Sequence, residues 1–425
     1  MSRTNRTTCV IAGGGPAGAM LALLLARSGV RVTLLEKHAD FLRDFRGDTV
    51  HPSTLQILDE LGLAEEFHRI PHRKAYRLTV RTDDAAVPVA DLSRLKGPYR
   101  YIAFVPQWDF LDLVTSAAAR YPGFELVMNA EVTGVIREGN AVRGVRYRDP
   151  GGEHELRAVL TVAADGRRSD VRRAAGLVPA EYGAPMDVLW FRLPREPSDP
   201  DETFLRASTG HLMVSIDRGT YWQLAYVIPK GGFDALRERG IDALRRPVAA
   251  MLPYLAGRVG LIEDFDDVSV LSVALNRLRR WHRPGLLVIG DAAHAMSPVF
   301  GVGINLAVQD AVAAANLLAG PLLAGGEIPE SLLARVQRRR TPPTAVTQFA
   351  QRLVQNRVIR PALSEPARPV RIPALARLPL IGAAARRFIG MGVLAEHVRT
   401  PAVSHQGERP SQSVDITAGP PDRLQ

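Results

Sequence analysis

The sequence predicts an α/β fold in which a mostly parallel sheet is interwoven with a second β-sheet domain and followed by C-terminal helices. Three observations predict it. Residues 8–36 alternate strand, Gly-rich turn, helix and strand; a later strand ends in the acid–glycine pair Asp165-Gly166; and a third ends at Gly290-Asp291, where a Gly-rich loop opens a helix near Gly303. Strands that alternate with helices and end in acids or glycines are the pattern of parallel sheets with a site at their carboxyl ends.

The first unit carries the densest information. An apolar strand at 9–12 runs into Gly13-x-Gly15-x-x-Gly18, an Ala/Leu helix follows to Arg27, and a second apolar strand at 30–35 ends at Glu36. Gly13 permits the tight turn, Gly15 lets the backbone approach a pyrophosphate, and Gly18 lets the helix pack on the strand. Glu36, eighteen residues beyond Gly18, can accept hydrogen bonds from a ribose diol. Its charge argues against a 2′-phosphorylated ribose at this position. The domain is therefore Rossmann-like.

The remaining elements follow in order. Ser53 is an N-cap candidate for a helix at 53–61 that Gly62 stops. Residues 76–105 alternate apolar and polar and read as inserted strands, and Gln107 begins a helix to about Arg120. Strands near 124–136, 141–148 and 154–163 are split by turn chemistry at Asp149-Pro-Gly-Gly. Residues 180–275 are strand-like and carry Trp190, Trp222 and Tyr226, so they read as a sheet over the substrate side. The expected domains are 1–180 and 276–330 for the nucleotide-binding part, 181–275 for the sheet, 331–404 for a Pro-interrupted helical region, and 405–425 for a disordered tail.

Composition bounds the function. The chain has 425 residues and a single cysteine, Cys9, which fits a reducing cytoplasm and forbids an internal disulfide. The net charge of +10 is almost wholly arginine, scattered in pairs rather than gathered in a stripe with aromatics, so no nucleic-acid partner is expected. The apolar run at 17–26 is too short to span a bilayer, and no integral membrane segment is expected. No metal site is expected either.

Taken together, the fingerprint, the Asp165-Gly166 element and the Gly290-Asp291 element resemble the three-motif signature of the single-component FAD-dependent aromatic hydroxylases, the para-hydroxybenzoate hydroxylase-like flavoprotein monooxygenases. The resemblance covers about residues 7–320. It implies FAD as resident cofactor, NADH or NADPH as a transient donor, and O2 with an aromatic or polycyclic small molecule as substrates. Gly13, Gly15, Ala17, Gly18, Glu36 and Lys37 would then surround the ADP half, Arg46 would reach the pyrophosphate, and Gln107 would lie beside the flavin chain. Asp165 and Gly166, with Ser169 and Arg172, match the family's Asp-Gly-x-x-Ser-x-Val-Arg pattern. Asp291 would bond the ribityl chain, and Gly301, Gly303, Ile304 and Asn305 would line the isoalloxazine ring. Pro298 would wall the place where a flavin peroxide forms, and Trp190, Trp222 and Tyr226 are candidates for substrate contact.

Several readings stay open. His294 could act as a general base or hold loop backbone, and His51 could pack or cap. The basic, apolar helix at 375–394 could touch a membrane, pack on the flavin domain or meet a partner in a homodimer. An oxidase or dehydrogenase that inserts no oxygen is a rival. A flavin-dependent halogenase is a weaker one, because no lysine follows Gly18 before Lys37 and no Trp-x-Trp-x-Ile-Pro element is present.

Overall fold

A computed structural model describes residues 5–42, 49–201, 203–364 and 379–403. Arg46 and the tail at 405–425 lie outside the described residues. Among these residues the largest sheet has eight strands. At its centre Arg6–Ala12 pairs in parallel with Val32–Leu35 on one side and with Gly152–Ala163 on the other. Gly152–Ala163 in turn pairs in parallel with Leu286–Val288, and Phe124–Val127 adds to Val32–Leu35. The strands that read as continuous apolar runs are those buried on both faces, as parallel strands are.

Helix Pro16–Arg27 covers one face together with Gln107–Ala118 and Gly303–Ala324. Gly18 explains the close approach: a Cβ there would lie 2.0 Å from the Gly13 carbonyl oxygen. The Gly303–Ala324 helix lies in the stretch Val299–Ala324, long and apolar enough to cross a bilayer, yet 72% of its apolar window is buried inside the protein. It is a core helix, apolar all round because neighbours surround it.

The second sheet has seven strands among the described residues. Met186–Pro194, Phe204–Ser208, His211–Asp217 and Tyr221–Pro229 form its body, and the early strands Arg77–Arg81 and Ala86–Asp91 extend it. Of the strands expected at 76–105, these two join the second sheet, where Arg77–Arg81 pairs in parallel with Phe204–Ser208, whereas Ile102–Phe104 pairs with Thr49–Val50 and Arg73–Ala75 in a separate three-stranded sheet. Residues 180–275 are not all strand. Phe233–Glu238 and Asp242–Met251 are helices, and Leu244, Val248 and Met251 recur at helical spacing to cover the outer face of the sheet. Ser53 sits inside its helix rather than capping it, because Pro52 takes the first helical position and His51 becomes the N-cap.

The C-terminal region is helical at Glu330–Val354, continues through a π-helical turn at Gln355–Ile359 into Arg360–Leu363, and returns as Pro379–Met391. That last helix docks on the protein through Gly390, where a Cβ would meet Leu95 Cδ1 at 2.6 Å and Pro52 Cγ at 3.4 Å.

Candidate active site

Parallel register brings the three motifs to one edge. Ala12 is opposite both Leu35 and Ala163, and Ala163 is opposite Val288. The residues that follow these strand ends, Gly13, Glu36, Asp165 and Gly290-Asp291, therefore emerge side by side. Contacts tighten the cluster. Gly13 has φ +100°, and a Cβ there would lie 2.5 Å from the Ala164 carbonyl oxygen. Glu36 accepts from the Gly14 N–H at 2.9 Å and from the His38 N–H at 3.2 Å. Gly290, at φ +59°, leaves no room for a Cβ beside Ala17, whose own Cβ would be 2.9 Å away.

Arg172 joins the second motif to the third. Its guanidinium donates to the Ala292 carbonyl at 2.8 Å and to the Arg167 carbonyl at 2.9 Å. Ser169 caps the same short helix by accepting from the Arg172 N–H at 2.9 Å, and Asp165 accepts from the Val171 N–H at 3.1 Å. Burial pushes the Asp165 carboxyl above its usual range, opposed by the Ser169 hydroxyl and neighbouring N–H groups. Asp291 stays partly exposed, 3.9 Å from Arg167.

This edge suits a dinucleotide. The helix Pro16–Arg27 starts at Gly15 with no side-chain cap and no acid in its first turn. A Cβ at Gly15 would meet nothing within 4 Å, so the free N–H groups face open space. The helix Gly303–Ala324 starts in the same uncapped way, and a Cβ at Gly303 also meets nothing. Two uncapped helix starts and an acid at the end of the second strand are what an ADP half and an electron-rich ring require. Lys37 is exposed beyond Glu36. Gln107 occupies the first turn of its helix, half-buried, on the segment that follows the strand Ile102–Phe104. That strand pairs with Thr49–Val50, and Thr49 Oγ1 donates to the Gly301 carbonyl at 2.6 Å.

The loop from Pro298 to Gly303 is strained. Phe300 has φ +72°, a left-handed conformation that costs a non-glycine residue about 1 kcal/mol or more. The ring of Phe388 holds it edge-on, with centroids 5.7 Å apart at 86°. Gly301 follows at φ +64°, and a Cβ there would strike Thr49 Oγ1 at 2.8 Å. Beyond it Ile304 is buried, and Asn305 Oδ1 accepts from the His51 N–H at 3.1 Å and the Thr54 hydroxyl at 2.6 Å. His51 Nδ1 bonds the Ile389 carbonyl at 2.7 Å, and burial pushes its imidazole down to about 4. His51 packs; it joins the last helix to the start of the Gly303–Ala324 helix.

His294 is 1% exposed, with Nε2 2.5 Å from Asp310 Oδ2 and its ring against Trp281. Asp310 also pairs with Arg340 at 2.9 Å and accepts from the Gly290 N–H at 3.1 Å. Burial opposes ionisation of Asp310, but His294 and Arg340 outweigh it and hold the carboxyl below its usual range. The ring of His294 is thus buried and bonded to a carboxylate rather than to loop backbone, the structural role expected of it. Asp310 and Arg340, neither singled out by sequence reasoning, are what fix the Gly290 turn.

Strand parity divides the aromatic candidates. Trp190 points to the inner face of the second sheet, where it and Val214 border the two apolar clusters that Val299, Phe300 and Phe388 also border. Trp222 and Tyr226 point to the outer face, among Leu244, Val248 and Leu255. Trp222 is fully buried and donates to Asp199 at 2.8 Å, and the Tyr226 hydroxyl is bonded to His211 at 2.6 Å. Expected as substrate contacts, these two are core residues; successive strand residues face opposite sides, and both took the wrong parity.

A family profile described as FAD binding domain matches residues 6–353. The chain belongs to that family. It is 35% identical over 386 residues to a 6-methylpretetramide 4-monooxygenase of Streptomyces rimosus, covering 89% of this chain and 91% of the relative. A 12-dehydrotetracycline 5-monooxygenase/anhydrotetracycline 6-monooxygenase of the same species is 29% identical, covering 80% and 67%. The crystal structure of pqsL from Pseudomonas aeruginosa, a probable FAD-dependent monooxygenase, shares the fold with a TM-score of 0.71 at 23% identity, covering 85% and 99%. This flavoprotein is thus an FAD-dependent monooxygenase, and the oxidase and halogenase alternatives fall behind.

Proposed function

We propose that this flavoprotein hydroxylates a flat, polycyclic aromatic substrate held between the inner face of the second sheet and the loop at 298–302. The observation that carries this reading is the apolar wall formed by Trp190 and Val214 of the sheet, Val299 and Phe300 of the loop, and Phe388 of the last helix. The substrates printed in the names of the two streptomycete relatives are of that polycyclic class. When bound, FAD supplies the redox chemistry that passes electrons from NAD(P)H to O2. The chain's own residues bind and shield. Gly13, Gly15, Ala17, Gly18 and Glu36 would hold the ADP half, Asp291 the ribityl chain with Gln107 alongside, and Asp165 and Gly166 would contact FAD and the nicotinamide donor. The N–H groups at Gly303, Ile304 and Asn305 stabilise negative charge on the ring. Gly303, where a Cβ would meet nothing within 4 Å, would leave the backbone open to the ring, and Pro298 with Phe300 would keep water from the oxygen-transfer side.

The test uses purified protein reconstituted with FAD. 6-Methylpretetramide and a panel of polycyclic phenols are scored for stimulated NADH and NADPH oxidation, and the product is analysed after reaction under 18O2. One labelled oxygen in the product is expected. Product that forms without label would overturn hydroxylation and leave the dehydrogenase reading.

A further inference from the structure

The helix Glu330–Val354 and the π-helical turn after it present three glutamines, Gln348, Gln351 and Gln355, to the backbone that precedes and includes the Pro298 loop. All three are buried. Gln348 Nε2 donates to the Asn276 carbonyl at 2.8 Å and the Ala295 carbonyl at 3.2 Å. Gln351 Oε1 accepts from the Ser297 N–H at 3.2 Å, while its Nε2 donates to the Ser297 and Val299 carbonyls, each at 2.9 Å. Gln355 Nε2 donates to Ser297 Oγ at 2.8 Å. On the other side of the same segment, Asn276 Oδ1 accepts from the Ala295 N–H at 3.2 Å, and the Leu278 N–H bonds the Ala293 carbonyl at 2.8 Å. The loop backbone is therefore clamped on both sides, and Gln351 alone satisfies one donor and two acceptors that flank Pro298.

A side-chain amide can do this because it donates and accepts at once, and buried backbone groups need partners. The spacing is that of an α-helix. An α-helix sets residues three and four apart on one face, which serves 348, 351 and 355; the extra residue of the π-turn Gln355–Ile359 then redirects the chain. Ile359, its last residue, and Ala362 beyond it pack with Val188, Leu212 and Ala225 on the inner face of the second sheet, beside Val299. One continuous segment thus touches the loop with its glutamines and the substrate sheet with its apolar residues.

We infer that Gln351, supported by Gln348 and Gln355, is the positioning residue that sets where the Pro298 wall stands relative to the flavin, and so how much reduced oxygen reaches substrate rather than leaving as hydrogen peroxide. This rests on the reading of the 298–302 loop as the flavin wall. Loss of Gln351 leaves two carbonyls and an N–H without partners, and the loop shifts to find water. A shift in local equilibrium of about five- to thirtyfold corresponds to one or two such bonds.

The experiment compares Gln351→Met, Gln355→Met and, as control, Phe349→Ser on the exposed face of the same helix. Three quantities are read on FAD-loaded protein: FAD affinity, the visible absorption bands of the bound flavin, and H2O2 formed per NAD(P)H oxidised with 6-methylpretetramide present. Gln351→Met should keep FAD affinity within about threefold, since the ADP contacts are untouched, yet displace the flavin bands and raise the H2O2 fraction at least about fivefold. Gln355→Met should move both in the same direction by less, and Phe349→Ser should move neither. Unchanged bands and coupling in Gln351→Met overturn the inference. Should that variant fail to fold, Gln355→Met decides by the same criteria. If 6-methylpretetramide leaves NAD(P)H oxidation in the parent protein unchanged, the substrate proposal fails while the flavin bands still judge the role of Gln351.

Discussion

Arg340→Met is the substitution whose cost the structure fixes best. Arg340 and Asp310 are 1% and 0% exposed, with Nε 2.9 Å from Oδ1. Methionine fills most of the arginine stem's volume, so the change chiefly removes the cation. Asp310 then keeps His294 and the Gly290 N–H as partners but loses its guanidinium, and Glu396, which Arg340 approaches at 3.5 Å, retains Arg339. Removing one member of a buried pair costs about 3–5 kcal/mol because the remaining charge is left in a poor solvent. Native stability is only about 5–15 kcal/mol, so the single variant should show a large fall in the urea midpoint. The double variant Asp310→Leu/Arg340→Met removes both charges and should recover about 1–3 kcal/mol of that loss, read as a coupling energy in the cycle.

The same cycle reports on the cofactor site. Asp310 accepts from the Gly290 N–H, at the turn that presents Asp291. The Asp310→Leu single variant should therefore weaken FAD binding more than Arg340→Met does, although both destabilise the fold. FAD titration followed by flavin fluorescence measures this. A cost below about 1 kcal/mol for Arg340→Met, in the range of an exposed ion pair, would refute the buried-network reasoning.

Other substitutions test separate parts of the site. Asp291→Ala should lose FAD on gel filtration while keeping its circular dichroism; full flavin occupancy would remove Asp291 from the site. Trp222→Phe leaves Asp199 without its indole donor in the outer core and should lower stability by about 1–3 kcal/mol, with KM for substrate unchanged, whereas Trp190→Ala should raise KM with a smaller stability loss. For pH, the buried His51 is neutral in the folded protein down to about 4, while the unfolded imidazole takes a proton near 6.5. Stability from this residue is complete above pH 6.5 and declines as pH falls toward 4, by about 3 kcal/mol in all. His51→Gln should flatten that limb of the urea midpoint against pH; an unaltered slope would show that His51 does not set it.

The nucleotide edge was legible because local chemistry encodes it. Gly13, Gly15, Gly18 and Glu36 sit within one βαβ unit, where turn geometry, helix start and strand end follow from sequence spacing. The Asp165 and Asp291 elements were legible by the same rule of an acid at a strand's carboxyl end. What joins them was not. Arg172 to Ala292, Asp310 to Gly290 and His51 to Ile389 span 120, 20 and 338 residues, distances at which spacing carries no information. One further signal was present and unused: glutamines at 348, 351 and 355 repeat at helical spacing on a helix otherwise rich in exposed arginine. A polar stripe at that period on a helix that must pack marks hydrogen-bond work against backbone rather than solvation.

The error over Trp222 and Tyr226 has a different origin, and it bears on the site itself. The second sheet is covered on both faces, outside by Asp242–Met251 and inside by the loop at 298–302 and the C-terminal helices. Both parities are therefore apolar, and composition alone cannot tell the inner face from the outer one. Sequence could have decided it through polar partners. An aromatic with a polar handle on the dry outer face needs a buried acceptor, and Asp199 and His211 supply them. On the inner face the small residues Ala207 and Ala225 flank Val188 and Leu212, leaving Trp190 and Val214 opposite the strained Phe300. That inner face is itself packed, with Ile359 and Ala362 in one apolar cluster with Val188, Leu212 and Ala225. Parity, rather than composition, is therefore what separates Trp190, on the face proposed for substrate, from Trp222 and Tyr226 in the outer core.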